Sequence, residues 1–225
     1  MSRSTGDRHG FWRKRATPTP PPSRTAVDDG VEACQQLRYG DAERLLVGAL
    51  RRAEQGAAAA PELAAALGQL ADLYRAQARY EEAEPLYRRA IALEEGRQGG
   101  EHAGMARALN NLALVYRAQG FYEQAEPLCR RALAIAERVH GGEHPLTAAA
   151  VGNLLTVYLA QQRFGEAGPL FRRSVAIKER VLGPTHPALA GSLSTYAAFL
   201  RRTRGEAEAA GWEARARAIL DATRR

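Results

Sequence analysis

Apolar residues recur along most of the chain with the spacing of an α-helix. Leu109, Leu112 and Tyr116 lie three and four residues apart, which places them on one face of a helix. Gly120 follows, and glycine readily adopts the left-handed conformation that ends many helices. A second apolar stripe begins at Tyr122. The pattern predicts two helices joined by a tight turn.

This helical pair is repeated. Residues 70–93 and 112–135 are identical at 16 of 24 positions with an offset of 42, and a third copy follows at the same offset. Weaker copies flank these three. One pair of helices cannot cover its own apolar face, so the pairs must stack. The sequence predicts an all-α, right-handed superhelical solenoid of about five antiparallel helix pairs, at about 26–58, 62–102, 104–144, 146–186 and 188–225.

Small and proline residues occupy fixed places in the second helices. Alanine recurs near their start, which lets two helices cross at short distance, at Ala42, Ala83, Ala125, Ala167 and Ala209. Proline recurs two residues later in the middle units and removes one helical hydrogen bond there, at Pro85, Pro127 and Pro169. We expect the freed carbonyls to face water. The glutamate and arginine residues of these helices, such as Glu94 and Glu95, indicate a solvated face.

The repeated motif identifies a family by resemblance. The third unit contains Ala108-Leu109-Asn110-Asn111-Leu112-Ala113, Tyr116, Tyr122-Glu123-Gln124-Ala125-Glu126-Pro127-Leu128 and Gly142-Glu143-His144-Pro145. This pattern resembles the tetratricopeptide repeat, and its 42-residue period is similar to that of the kinesin light chain type. The resemblance covers residues 62–187 closely and 26–225 loosely. It implies a binding scaffold whose first helices line a concave groove.

The amino-terminal segment has a different composition. Residues 1–25 contain six basic residues against one acidic residue, so they account for most of the formal net charge of +7. They also contain four closely spaced prolines, and such a composition cannot bury enough apolar surface to fold. We predict a disordered, basic, proline-rich tail. A nucleic-acid-binding arm or a ligand for a proline-recognising domain remains an alternative.

No chemistry of catalysis or metal binding stands out. Cys34 and Cys129 lack the spacing of a metal site. His102, His144 and His186 recur every 42 residues, but equivalent residues on stacked helix pairs lie too far apart to share one ion. We interpret them as the starts of first helices. No apolar stretch is long enough to span a membrane. We expect a non-enzymatic, cytoplasmic protein without cofactor or metal, and the 30 arginines against two lysines indicate a GC-rich bacterial genome.

The candidate site is the groove that the resemblance implies. Residues of the first helices opposite the apolar stripe would face it, and they form the candidate set Gln69, Asp72, Arg75, Arg107, Asn110, Asn111, Leu114, Arg117, Asn153, Thr156, Thr195, Arg201 and Arg202. Polar residues occupy one equivalent place in every unit, at Asp28, Gln69, Asn111, Asn153 and Thr195. Amides carry both a donor and an acceptor, so this ladder could bind the backbone of an extended peptide. The arginines favour carboxylates.

These patterns favour a protein-protein interaction scaffold that binds an extended acidic or carboxyl-terminal peptide segment. On this interpretation, replacing Asn111 and Asn153 by alanine weakens binding at least about tenfold while helicity and melting persist. The alternative is a nucleic-acid-associated regulator that uses the basic tail with Arg201, Arg202 and Arg204. A third possibility is self-association through an incompletely capped end. The sequence does not indicate the oligomeric state.

Overall fold

The fold was analysed in a computed structural model, which describes residues 25–57, 60–96 and 101–223. The predicted tail lies outside these residues, apart from Thr25. Within the described ranges the chain forms ten α-helices and no strand, at Ala26–Gln35 (α1), Tyr39–Arg52 (α2), Ala60–Ala76 (α3), Tyr80–Glu95 (α4), Ala103–Ala118 (α5), Tyr122–His140 (α6), Pro145–Ala160 (α7), Phe164–Leu182 (α8), Pro187–Thr203 (α9) and Glu206–Thr223 (α10). A short π-helical segment, Ala53–Ala57, continues α2.

The helices pack as five consecutive antiparallel pairs, which we number units 1 to 5 from α1–α2 to α9–α10. Each second helix also packs on the first helix of the next unit, and we call these contacts junctions. The predicted class, an all-α solenoid of helix pairs, is therefore confirmed. No helix in the described ranges is long and apolar enough to cross a membrane.

Every helix pair turns through one residue in the left-handed conformation. Gly120 has φ of +83°, and the amide of Phe121 donates to the carbonyl of Tyr116 at 2.8 Å, closing the end of α5. The prediction that Gly120 ends this helix is confirmed. Unit 5 also uses glycine, whereas the other units place a residue with a Cβ in this conformation, at Leu37, Ala78 and Gln162.

Histidine caps three of the first helices. The Nδ1 atom of His144 accepts from the amide of Leu146 at 3.2 Å, and Pro145 is the first residue of α7. His102 and His186 cap α5 and α9 in the same way. The repeated histidines therefore start helices, as predicted.

Small residues let the helices cross closely at the core. The five recurring alanines near the start of the second helices are completely buried. Seven residues later comes a second buried small position, occupied by Ala49, Ala90, Ala132, Ser174 and Ala216. The prolines of α4, α6 and α8 are exposed, as are the residues whose carbonyls they leave unbonded, Glu81, Glu123 and Gly165. The helices continue through all three prolines.

First and second helices differ in how they meet their equivalents in the next unit. The first helices α1, α3, α5 and α7 each have Cα atoms within 8 Å of the next one in this series. Successive second helices make no such approach within the described residues, and neither do α7 and α9. The first helices therefore line the inner side of the solenoid, and the second helices form its outer side.

Candidate functional site

Helix α5 presents the predicted stripe to the inner side. Arg107 is exposed, and Asn110, Asn111, Leu114 and Arg117 are half-buried. The residues of the apolar stripe on the same helix are at most 6% exposed, at Leu109, Leu112 and Tyr116. The pattern of accessibility on α5 thus places the predicted residues together on one accessible face. We call the accessible surface formed by the thirteen candidate residues the inner groove.

The asparagines of the ladder bind neighbouring first helices. Asn111 Nδ2 donates to Asp72 Oδ1 at 2.8 Å, and Asn153 Nδ2 donates to Asn110 Oδ1 at 2.7 Å. The Nδ2 group of each asparagine is therefore already engaged in a hydrogen bond that joins its unit to the preceding one. The carbonyl oxygens of Asn111 and Asn153 accept no hydrogen bond from a described residue. Replacing both by alanine would also remove two inter-unit bonds, so we no longer expect melting to be unaffected.

The remaining members of the ladder do not form one uniform series. The hydroxyl of Thr195 donates to the carbonyl of Gly191 in its own helix, and Thr156, one turn along α7 from the ladder position, does the same with Gly152. Asp28 accepts from the backbone and hydroxyl of Thr25 at the start of α1. Gln69 is half-buried on α3. Asp28 thus also stabilises the start of α1 together with Thr25, and peptide binding at the ladder positions stays a prediction.

Asp72 forms the most constrained polar cluster of the inner groove. Its Oδ1 accepts from the hydroxyl of Tyr87 at 2.5 Å and from Asn111 at 2.8 Å. Arg75 lies 3.8 Å from the same oxygen and 3.4 Å from the Tyr87 hydroxyl. Burial raises the pKa of the Asp72 carboxyl above its ordinary value, although the Tyr87 hydroxyl and the nearby arginines oppose this.

Apart from Arg75, the candidate arginines fall into two groups. Arg107 and Arg117 form neither an ion pair nor a side-chain hydrogen bond with any residue that the structure describes. Arg201, in contrast, is bound by the carboxylates of Glu206 and Glu213 on α10. Arg202 lies over the ring of Phe164, with its Cζ atom 5.7 Å from the centroid. The structure therefore leaves free guanidinium groups on α5 and engages those at the end of α9.

A hollow opens between α5, α6 and α7, beside the free Arg107. Its volume is about 520 Å³, and it is lined largely by small residues, with Arg107, Asn110 and His140 among them. Hollows of 390 and 360 Å³ occupy the equivalent places in units 1 and 4. These hollows were not predicted. Small residues recur at their positions in the sequence, which is the signal that could have indicated them.

The equivalent place in unit 2 is filled by two polar side chains. Glu94 is only 7% exposed, and its Oε2 lies 2.9 Å from Nε2 of His102. A Cβ added at Gly104 would lie 3.0 Å from the Glu94 carboxylate. The equivalent residues in units 1 and 3 are Ala53 and Ala136, which line open hollows. The interpretation of Glu94 as part of a solvated face is wrong.

Charged residues on the outer side also link each unit to the next. An arginine of one unit binds a glutamate of the preceding unit at equivalent positions, in the pairs Arg89–Glu54, Arg131–Glu95, Arg173–Glu137 and Arg215–Glu179. We call these four pairs the outer ladder. These side chains are partly exposed, so each pair contributes less than about 1 kcal/mol. The paired side chains stay in contact with water, as predicted, but each has its partner in a neighbouring unit.

The described residues hold no cluster of three or more histidine, cysteine, aspartate or glutamate side chains that could bind a metal ion. Cys129 is buried and Cys34 is partly buried, and neither forms a disulfide. Burial raises the pKa of the Cys129 thiol to about 11, which keeps it protonated and unreactive near neutral pH. The polar groups of the inner groove can thus form hydrogen bonds and ion pairs, and they offer no arranged nucleophile and base.

Comparison with known proteins gives consistent matches. One model described as tetratricopeptide repeat matches residues 104–179 and 152–222, and a second model with the same description matches 66–101. No curated protein matches the chain.

Three solved structures illustrate the structural similarity. BtubC (BKLC) from P. vanneervenii is 24% identical, with 88% of this chain and 80% of that chain covered and a TM-score of 0.78. A kinesin light chain from Podosopora anserina with nearly identical TPR-like repeats is 25% identical, with coverages of 89% and 95% and a TM-score of 0.76. The Rap conjugation gene regulator of plasmid pLS20, in complex with the Phr* peptide, is 12% identical, with coverages of 88% and 53% and a TM-score of 0.61.

Proposed function

The chain belongs to the tetratricopeptide repeat family, and on that basis we propose that it is a non-enzymatic scaffold that binds an extended acidic peptide segment in its inner groove. A protein of the same fold, the Rap regulator of pLS20, has been solved in complex with a peptide. That likeness supports the general mode of binding only. The chemistry of the segment has to come from the groove of this chain.

The observation that carries the proposal is the pair of free guanidinium groups on α5. Arginines of the outer ladder each have a carboxylate partner. Arg107 and Arg117 have none among the described residues, and both lie on the inner face of their helix. A guanidinium presents several donors in a plane that matches a carboxylate. Two such groups on one accessible helix face favour a partner with carboxylates.

The hollow beside Arg107 supplies the apolar part of the same site. Small residues line most of it, and Asn110 and Arg107 bring polar atoms to the same surface. An apolar side chain of the segment would fill the hollow while a neighbouring carboxylate binds Arg107. Burial of that side chain would provide affinity, and the ion pair would orient the segment.

Charge-matched variants test the proposal. Peptides are selected on the full chain from a phage-displayed random library, synthesised with a fluorescent label and measured by anisotropy. The variant Arg107→Gln/Arg117→Gln should bind an acidic peptide at least about tenfold more weakly than the parent, which is the loss expected when charge-assisted hydrogen bonds are removed. Rising salt should reduce the difference between the variant and the parent.

The control is Arg51→Gln/Arg217→Gln, which removes the same charge from two exposed arginines on second helices. It should change the affinity less than about twofold, as expected for screened charges away from the site. Equal losses in the two double variants would mean that net charge, and not the groove, attracts the peptide. That result would contradict the proposal.

A further inference from the structure

One carboxylate interrupts the basic character of the inner groove. The first helices α3, α5, α7 and α9 contain only two acidic residues, Glu62 and Asp72. At the position of Asp72 the later units carry Leu114, Thr156 and Ala198. The repeat itself therefore does not require an acid here. A feature present in one unit only is a candidate for specificity.

The two oxygens of Asp72 have different surroundings. Oδ1 is held by Tyr87 and Asn111, which fix the orientation of the carboxylate. Oδ2 receives no hydrogen bond from any residue in the described ranges, and the side chain is 28% exposed. Arg75 lies 3.8 Å from Oδ1, which is too long for a hydrogen bond. The structure thus holds one acceptor in place and leaves the other accessible.

We propose that Asp72 binds a lysine or arginine side chain of the partner, so that the bound segment alternates in charge and is not uniformly acidic. This inference rests on the proposed function, because it concerns the same groove. A uniformly acidic segment would be attracted by Arg107 and Arg117 but repelled at Asp72. A cation at that point removes the repulsion and provides a charge-assisted donor for Oδ2.

The groups around Asp72 do not supply a cation that is hydrogen-bonded to its carboxylate. Cys34 approaches from α1, Tyr87 from α4, and Arg107 and Asn111 from α5, with Arg75 on α3 itself. Neither arginine donates a hydrogen bond to the carboxylate. Because burial disfavours an isolated carboxylate, a cation supplied by a ligand gains more here than it would at the solvated surface. The cluster therefore favours a cation from outside the chain.

Library selection on the full chain tests the inference. Peptides selected on the parent should contain a lysine or arginine at a fixed distance from an acidic residue. Selection on Asp72→Asn should keep the acidic residue and lose the basic one. Asparagine retains an oxygen for Tyr87 and Asn111, so this variant is expected to fold. The control Glu62→Gln removes the other acid of these helices and should leave the basic preference unchanged.

A double-mutant cycle then isolates the contact. Replacing the selected basic residue by glutamine should weaken binding to the parent about tenfold, the lower range for a hydrogen bond to a charged group. The same replacement should change binding to Asp72→Asn less than about twofold if the two residues interact directly. Circular dichroism and thermal melting of each variant report whether the fold is retained.

The outcomes separate the two proposals. Acidic peptides that need Arg107 and Arg117 but bind Asp72→Asn as well as or better than the parent would overturn the role of Asp72 and leave the proposed function standing. Peptides insensitive to the α5 arginines, or a library that yields no groove-dependent peptide, would overturn both.

Discussion

The first three junctions and the last one are built from different chemistry. At the first, Glu43 of α2 accepts from Tyr74 of α3 at 2.9 Å and from Arg79 of the next turn at 3.0 Å. At the second junction Tyr116 donates to Glu84, and Arg88 of the same helix as Glu84 takes the place of the arginine in the turn. At the third, Arg163 of the turn donates to Glu126, and the hydroxyl of Tyr158 accepts from Arg130. We call these the carboxylate clusters. At the last junction, glycine and leucine stand where the glutamate and tyrosine would be, at Gly168 and Leu200.

Aromatic side chains take over at the last junction. Phe199 lies 5.0 Å from Phe171 and 6.1 Å from Phe164, measured between ring centroids. A Cβ added at Gly168 would lie 3.7 Å from the Phe199 ring, so the absent side chain leaves room for that ring. Tyr196 and Trp212 extend the group, which we call the aromatic cluster.

The difference separates two requirements of a stacked fold. A carboxylate cluster joins a second helix to the next first helix, or to the turn after it, through directed hydrogen bonds, so it fixes how two units align. An aromatic cluster buries apolar area without strict directions, and its rings prefer tilted or edge contacts. At the last junction this apolar contact, and not a carboxylate, joins unit 5 to unit 4.

Replacing Phe199, at the centre of the aromatic cluster, should cause the largest loss of stability. Phe199→Ala deletes a ring that is only 8% exposed and should cost about 3–5 kcal/mol of unfolding free energy, because a cavity remains. Urea unfolding followed by Trp212 fluorescence in a Trp12→Phe background would measure it locally. The control Phe121→Ala removes a ring that is 51% exposed. A loss at Phe199 no larger than at Phe121 would contradict the importance of the cluster.

Breaking a carboxylate cluster should cost less. Tyr116→Phe removes the hydroxyl that donates to Glu84 and accepts from Arg88, and about 1 kcal/mol should be lost. The matched control is Tyr122→Phe, whose hydroxyl forms no hydrogen bond with another described residue. Denaturant unfolding of both variants would compare them. Equal stabilities would show that the second junction depends on packing alone.

As the pH falls, the first junction should lose stability before the last. The loss of unfolding free energy should be less than about 1 kcal/mol, because the groups are partly exposed. The hydrogen bond from Arg79 is the main cause that lowers the pKa of Glu43, with help from Tyr74. A carboxyl with a lowered pKa in the folded state stabilises the fold above its unfolded pKa, and this stabilisation is lost as the pH falls through the folded pKa, which lies below the ordinary value of a glutamate.

Hydrogen exchange would detect this loss. Amides of α2 and α3 should lose protection between pH 7 and acid, and Glu43→Gln should reduce that change while leaving α8 and α9 unaffected. The exposed Glu81→Gln is the control. If the control altered the acid response of α2 and α3 as much as Glu43→Gln does, the effect would be one of general charge.

The repeat made the fold predictable, because identical residues at a period of 42 define equivalent positions. It did not reveal which equivalent positions touch. Tyr74 and Glu43 are 31 residues apart and lie in different units, so a pattern within one unit cannot pair them. The same limit applied to Asn111 and Asp72. The aromatic cluster was not predicted for another reason, since its central residue Phe199 has no aromatic equivalent in the other units.

The two sides of the solenoid give it unequal stiffness. Successive inner helices of units 1 to 4 have Cα atoms within 8 Å of each other, whereas successive outer helices are linked by long arginine and glutamate side chains. Such side chains can swing and re-pair at little cost. We therefore expect the outer side of the solenoid to extend before the inner side, so that its curvature can change while every helix stays folded.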